Sequence, residues 1–201
     1  MGRELELKYR ANALQIAEIQ AIYSGFTTIS METTYFDNPD KTFSELRWTL
    51  RRRMENDRSV CTLKTPLPDG SRGEWELECD DISAAIPKLC ALGAPEELAA
   101  MAAPGLSPSC GARFTRLAKL ITEDAFTVEL ALDQGVLLGG GKELTFAEVE
   151  VEYKDGSEAE AIAFANALAW KFGLTREFRS KIARAQDLAA NTYQEKHKWP
   201  I

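Results

Sequence analysis

Charged residues recur at alternate positions in several short segments of this 201-residue chain. Because successive residues of a strand point to opposite faces, each alternating set would share one face. Carboxylate oxygens are the ligands that Mg²⁺ and Mn²⁺ prefer, and arginine and lysine bind phosphate oxygens. The clearest sets are Glu4, Glu6 and Lys8, then Arg51 and Arg53, then Glu148, Glu150 and Glu152. These residue types predict a site for a metal ion and a phosphorylated anion.

Further segments repeat this pattern along the chain. They contain Thr62 with Lys64, Arg72 with Glu74, Glu76 and Glu78, Glu129 with Asp133, and Arg116 beside Phe114 and Ala118. Charge on a single strand usually marks a solvated face, so a sandwich with charged outer faces is the plain alternative. Recurrence in most of the strands favours a common interior, which would need charges of both signs because isolated charges away from water are costly.

Eight segments show the alternation that is typical of strands with one apolar and one polar face. They span residues 3–10, 27–38, 46–55, 60–65, 73–79, 113–121, 126–138 and 144–153. Helical signals fill the gaps at residues 12–23, 81–93, from 95 onward, between 157 and 173, and at 178–192. We predict one α+β domain over residues 1–201, built on an eight-stranded antiparallel β-barrel with flanking helices. Such a barrel is about the smallest that can hold a ligand.

The composition excludes several classes of function. The chain has 31 acidic and 24 basic residues, a net charge of -7, one histidine and four cysteines. A lone histidine, His197, excludes a histidine-rich zinc site and most Ser/His/Asp catalysis. The scattered cysteines and the lack of a signal sequence or apolar span predict a cytoplasmic protein without membrane contact. The acidic balance argues against binding of nucleic acid polymers.

Taken in chain order, the motifs resemble those of the CYTH or triphosphate tunnel metalloenzyme superfamily. The N-terminal Glu4-Leu5-Glu6-Leu7-Lys8 matches the family's Glu-x-Glu-x-Lys opening. Its companions are Thr34-Tyr35-Phe36-Asp37, Leu50-Arg51-Arg52-Arg53, Thr62-Leu63-Lys64, Arg72-Gly73-Glu74-Trp75-Glu76, Glu148-Val149-Glu150-Val151-Glu152 and Ser180-Lys181. The stretches at residues 114–116 and 128–135 look most like the bacterial inorganic triphosphatase branch.

The resemblance implies a β tunnel in which a triphosphate is hydrolysed at its terminal phosphoanhydride bond with Mg²⁺ or Mn²⁺. By motif position, it implies metal ligands at Glu4, Glu6, Glu148 and Glu150. The substrate-binding residues would be Lys8, Arg51, Arg53, Lys64, Arg116 and Lys181, and the catalytic residues Lys8, Arg51, Arg53 and Glu150. Supporting carboxylates or ligands of a second metal would be Glu74, Glu76, Glu129, Asp133 and Glu152.

One departure from the family pattern concerns the sixth strand. Many members carry two basic residues there, whereas this chain has Arg116, with Arg113 or Lys119 as candidate substitutes. We therefore expect fewer contacts to an anion from this strand.

The sequence leaves the substrate open. Inorganic triphosphate is the first expectation, and thiamine triphosphate, a nucleoside triphosphate or the cyclisation of ATP by a class IV adenylate cyclase are alternatives in the same fold. A module that binds polyphosphate or nucleotide without turnover is the non-enzymatic alternative. In each case we expect a small anionic ligand, and a monomer or homodimer.

Overall fold

The computed structural model describes residues 2–3, 5–68 and 71–192, so Glu4 and His197 lie outside the described residues. The strands are β1 Gly2–Arg3, β2 Glu6–Arg10, β3 Thr27–Asp37, β4 Thr49–Glu55, β5 Arg58–Pro66, β6 Arg72–Glu78, β7 Ser107–Thr122, β8 Phe126–Gly139, β9 Lys142–Gly156 and β10 Thr175–Arg176. The helices are α1 Ala13–Ile22, α2 Thr42–Glu45, α3 Ile82–Ala91, α4 Glu97–Ala102, α5 Glu158–Lys171 and α6 Lys181–Ala189. Within the described ranges, no helix combines the length and apolarity needed to span a bilayer.

These strands form one antiparallel sheet in the order β1-β6-β5-β4-β3-β7-β8-β9-β2-β10. β1 and β2 follow each other in the chain, yet β1 pairs with β6 and β2 pairs with β9 at the other end of the ladder. The N-terminal segment therefore brings the two ends of the sheet together and gives it the form of a barrel. Counted as one strand, β1 and β2 complete the eight that alternation predicts. The predicted antiparallel barrel with flanking helices is confirmed.

Helices cover the apolar outer face of the sheet. On one side, α1 and α5 share a core with β2, β8 and β9, in which Ile19, Val149 and Leu168 are buried. On the other side, α3 and α4 share a core with β4, β5 and β6, in which Leu63 and Leu89 are buried. Because alternate strand residues face these helices, the charged residues between them face the interior of the barrel.

The last helix begins later than its apolar pattern suggests. Ser180 caps it by accepting a hydrogen bond from the backbone N–H of Ala183 at 3.2 Å, so α6 starts at Lys181 and leaves Phe178 in the preceding loop. Two short elements, α2 and β10, were not expected. One turn of helix and a two-residue strand are too short to show a hydrophobic period.

Helix α6 packs directly on the end of β8. A Cβ atom at Gly139 would lie 2.2 Å from the carbonyl oxygen of Ala185 and 2.9 Å from the backbone nitrogen of Ala189, so only glycine permits this approach. The next two residues, Gly140 and Gly141, have φ values of 58° and 74° and form the tight turn to β9. The close approach holds α6 against the sheet and brings its first residue, Lys181, to the barrel.

We expect Gly139→Asn to lower the free energy of unfolding by about 2 kcal/mol, because the new side chain collides with the backbone of α6. Gly141→Asn is the matched control, since this position has open space and asparagine tolerates a positive φ. Urea unfolding of both variants measures the difference. Equal losses would show that α6 does not depend on the glycine contact.

Candidate active site

The barrel encloses a cavity of about 560 Å³ with mostly polar walls. Among the described residues, eight basic side chains line it: Lys8, Arg51, Arg53, Lys64, Arg72, Arg116, Lys154 and Lys181. Seven carboxylates line it as well: Glu6, Glu55, Glu74, Glu76, Glu129, Glu150 and Glu152. Because the two signs nearly balance, their positions decide what the cavity can bind.

Three guanidinium groups, those of Arg51, Arg53 and Arg116, lie near one another in this cavity. Arg53 is 8% exposed, its Nε donates to Thr33 Oγ1 at 3.1 Å, and its Nη1 lies 3.8 Å from Glu55 Oε1. Burial, followed by repulsion from Arg51 and Arg116, lowers the pKa of Arg53 to about 10. Nε of Arg51 is buried without a hydrogen-bond partner among the described residues. This concentration of positive charge favours a bound anion.

Glu74 connects the basic residues of β4 and β5. Its Oε1 lies 3.2 Å from Lys64 Nζ and 3.9 Å from Arg51 Nη2. Arg72 lies two residues before Glu74, on the same face of β6, and donates to Thr49 Oγ1 at 3.1 Å. These contacts orient three cations along one wall of the cavity.

Three other carboxylates form an acidic row across neighbouring strands. Glu152 on β9 is the cross-strand partner of both Glu129 on β8 and Glu6 on β2. These side chains are 24 to 30% exposed, and Lys154 and Lys8 lie 2.8 Å and 3.6 Å from Glu152 and Glu6. Like charges directly opposite each other on a sheet repel, so this oxygen-rich row is suited to a hard divalent cation such as Mg²⁺ or Mn²⁺.

A second group of carboxylates, which we call the buried triad, consists of Asp133, Glu148 and Glu150. Their oxygens lie within 4.8 Å of one another, a spacing that could hold a metal ion. However, Lys181 Nζ lies 2.9 Å from Asp133, 2.7 Å from Glu148 and 2.6 Å from Glu150. Burial lowers the pKa of Lys181, but the three carboxylates outweigh it and raise that pKa above its ordinary value. The ammonium group therefore takes the position that a cation would need.

Two arginines complete the neutralisation of the buried triad. Arg116 donates to both oxygens of Asp133 at 2.8 Å and to Glu150 Oε2 at 2.5 Å, while Arg184 donates to Glu148. Burial raises the pKa of Glu150, but Lys181 and Arg116 lower it well below its usual range. Glu150 is therefore ionised, and each of its oxygens already accepts a charged hydrogen bond.

Aromatic rings surround the buried cations. The centroid of Phe114 lies 5.2 Å from Lys181 Nζ, 5.9 Å from the Arg116 guanidinium and 6.0 Å from that of Arg53. The centroid of Phe146 lies 5.4 Å from Lys181 Nζ. The electron-rich faces stabilise cations that have lost part of their hydration.

Most of the site residues predicted from the sequence meet at the cavity. Those that line it are Glu6, Lys8, Arg51, Arg53, Lys64, Glu74, Glu76, Arg116, Glu129, Glu150, Glu152 and Lys181. Asp133 and Glu148 are fully buried behind Lys181, and Glu4 lies outside the described residues.

The predicted sixth strand is β7 in the structure, and its two candidate substitutes for a second basic residue do not line the cavity. Arg113 is paired with Glu143 on the outside, and Lys119 donates to the carbonyl of Ser24. Both have the opposite strand parity to Arg116, so they cannot replace an inward basic residue.

Several residues of the site escaped the sequence reasoning. Glu55 and Lys154 each lie two residues after a predicted inward residue, Arg53 and Glu152. The same alternation, extended by two residues along each strand, would have predicted both. Arg184 had no comparable signal, because its partner Glu148 is 36 residues away and meets it only after α6 docks. Phe146 is likewise placed beside Lys181 by tertiary packing alone.

Comparison with known sequences identifies the family. The CYTH domain profile matches residues 2–185. The chain belongs to the CYTH domain family. It is also similar to an inorganic triphosphatase from Haemophilus influenzae, with 24% identity over 200 residues that cover 96% of this chain and 57% of that protein. This CYTH chain thus spans little more than half the length of that relative.

Solved structures share the fold of this CYTH domain. A candidate adenylyl cyclase from Hippeastrum with a dominant triphosphatase activity superposes with a TM-score of 0.65 at 17% identity, covering 96% of this chain and 98% of that one. A proposed adenylate cyclase from Bacillus halodurans superposes with a TM-score of 0.64 at 21% identity, and the match covers 92% of this chain and 98% of that one. At these identities, the likeness shows the barrel fold alone.

We expect Lys181→Ala to lower the free energy of unfolding by about 3 kcal/mol, because the buried triad loses its central cation. Mn²⁺ should restore part of this loss, since three carboxylates would then surround an open position. Urea unfolding with EDTA and with Mn²⁺ measures both effects. Lys142→Ala, an exposed lysine that contacts Asn191, is the control. A Mn²⁺ effect no larger than in the unmodified protein would contradict our interpretation of the triad.

Proposed function

We propose that this protein hydrolyses inorganic triphosphate to pyrophosphate and phosphate in the barrel cavity, with the help of Mg²⁺ or Mn²⁺. The observation that carries the proposal is the cluster of Arg51, Arg53 and Arg116 in the cavity, where burial first, and then repulsion from Arg51 and Arg116, lowers the pKa of Arg53 to about 10. A chain of phosphates supplies several anionic oxygens in a row, which suits guanidinium groups spaced along a cavity. The similarity to the inorganic triphosphatase of Haemophilus influenzae supports the same substrate.

The acidic row is the best match for the metal. Glu6, Glu129 and Glu152 offer only oxygen ligands, line the cavity and are partly solvated, as a Mg²⁺ ion that keeps some of its water requires. Glu148 is a weaker candidate than the family motif implies, because Lys181 and Arg184 already occupy its carboxylate. When bound, the ion would neutralise phosphate oxygens and make the terminal phosphorus more open to attack.

The chain's own residues would carry the rest of the reaction. Water attacks the terminal phosphorus, the bridging P–O bond breaks, and its electron pair leaves with pyrophosphate. Arg51, Arg53 and Lys8 would stabilise the charge that develops on the oxygens. Glu76 lines the cavity, is exposed, and would accept the proton that the attacking water releases. Positioning and electrostatics then suffice without a covalent intermediate.

Glu150 has a different role in this proposal. Both of its oxygens accept hydrogen bonds, from Lys181 and Arg116, and its pKa lies well below the usual range. It is therefore a poor proton acceptor. We propose that it holds Arg116 and Lys181 at the cavity wall, where their positive charge faces the substrate.

The test of the proposed function is an assay of phosphate and pyrophosphate release from tripolyphosphate, ATP and thiamine triphosphate, each with Mg²⁺, Mn²⁺ or EDTA. We expect tripolyphosphate to be hydrolysed with the highest kcat/KM and only with metal. If ATP or thiamine triphosphate is hydrolysed with a higher kcat/KM, that compound becomes the assigned substrate. Formation of cyclic AMP from ATP would indicate a cyclase. No turnover on any substrate, with phosphate compounds still raising the melting temperature, would indicate a binding module.

We expect Arg51→Gln to reduce kcat/KM for tripolyphosphate roughly 100-fold, because it removes a charged contact to the substrate. Arg52→Gln is the matched control. Arg52 is the next residue on β4, points to the opposite face and donates to the carbonyl of Asp80 at 3.1 Å. Equal losses in the two variants would contradict the assignment of the inner face of β4 to substrate binding.

A further inference from the structure

A second cavity of about 400 Å³, here called the annex, adjoins the barrel cavity. Five residues line both cavities: Thr49, Arg72, Phe178, Ser180 and Ile182. The two spaces therefore adjoin, with these five residues between them.

The charge of the annex is one-sided. Arg47, Arg72 and Arg179 line it, and its described lining residues include no carboxylate. Arg179 contacts Asp187, which does not line the annex, and the two side chains are 36% and 41% exposed, so solvent screens the contact. Arg47 forms no ion pair with any other described residue, and its φ of 57° places it in a backbone conformation uncommon for arginine. Three guanidinium groups in one small space favour an anion over a neutral group.

Two polar groups of the annex wall bond each other. The hydroxyl of Ser44 donates to Asp37 and accepts from the Gln186 amide at 2.7 Å, so these polar groups are already engaged with each other. The Trp48 ring packs edge-on against Phe43 at 6.4 Å between centroids. The Ser44 hydroxyl is therefore satisfied within the wall, and Phe43 packs against the indole of Trp48.

We propose that the annex binds the additional phosphates of linear inorganic polyphosphates longer than triphosphate. The proposal rests on the proposed function, since it assigns the three phosphates nearest the cleaved bond to the barrel cavity. Arg72, which lines both spaces, would contact the chain where it passes from one to the other. Arg47 and Arg179 would contact the phosphates beyond.

The test compares KM for tripolyphosphate, linear tetrapolyphosphate and ATP in the double variant Arg47→Gln/Arg179→Gln. We expect the ratio of KM for tetrapolyphosphate to KM for tripolyphosphate to rise about tenfold, because two charged contacts to the longer chain are lost. The matched control is Arg58→Gln/Arg113→Gln. It removes the same charge from two exposed arginines that pair with Glu78 and Glu143 away from both cavities.

Calorimetric titration of both phosphates with EDTA present separates this inference from the proposed function. If tripolyphosphate is not hydrolysed but the double variant still loses affinity for tetrapolyphosphate alone, the annex stands and the triphosphatase proposal fails. An unchanged ratio in both kinetics and binding overturns the annex proposal. A selective loss of ATP binding also overturns it, in favour of a nucleotide site.

Discussion

The ammonium group of Lys181 between three buried carboxylates is the contact on which the interior of the barrel depends. Asp133, Glu148 and Glu150 come from two neighbouring strands and would repel one another if they were ionised and alone. Lys181 comes from a helix that follows these strands in the chain, so the charged interior is complete only after α6 has docked. A solvated lysine would gain little from one such contact, but three short contacts away from water outweigh the loss of hydration.

The docking of α6 is in turn prepared by the sheet. Gly139 at the end of β8 lets the helix backbone approach, and the ring of Phe146 lies beside the cations of Lys181 and Arg184. Both features place the start of the helix at the cavity rather than at the outer surface. The loop before α6 then contributes Phe178 and Ser180 to the walls of both cavities. One helix thus neutralises the buried triad, and the loop before it shapes both cavities.

Strand alternation was enough to predict most of the interior, because a period of two converts directly into one face of a sheet. Arg51, Arg53 and Lys64 could be assigned to the cavity in this way without any knowledge of the strand order. The pairing between distant segments could not be predicted. Whether Glu148 faces a metal ion or Lys181 depends on how β9 and α6 meet, and a local pattern carries no information about that contact. The one-turn helix α2, which helps to form the annex, left no pattern to detect.

The balance of charge explains why a substrate and a metal ion would enter together. The cavity is lined by eight basic and seven acidic side chains, and the buried Asp133, Glu148 and Arg184 behind it bring the two signs to equality. The net charge of -7 in the whole chain is therefore carried by other residues and reveals little about the site. A polyphosphate that enters a neutral cavity leaves its own negative charge uncompensated, although the arginines bind its oxygens. In the proposed function, a divalent cation on the acidic row would correct this excess, on the side of the cavity where Glu6, Glu129 and Glu152 would otherwise repel the substrate.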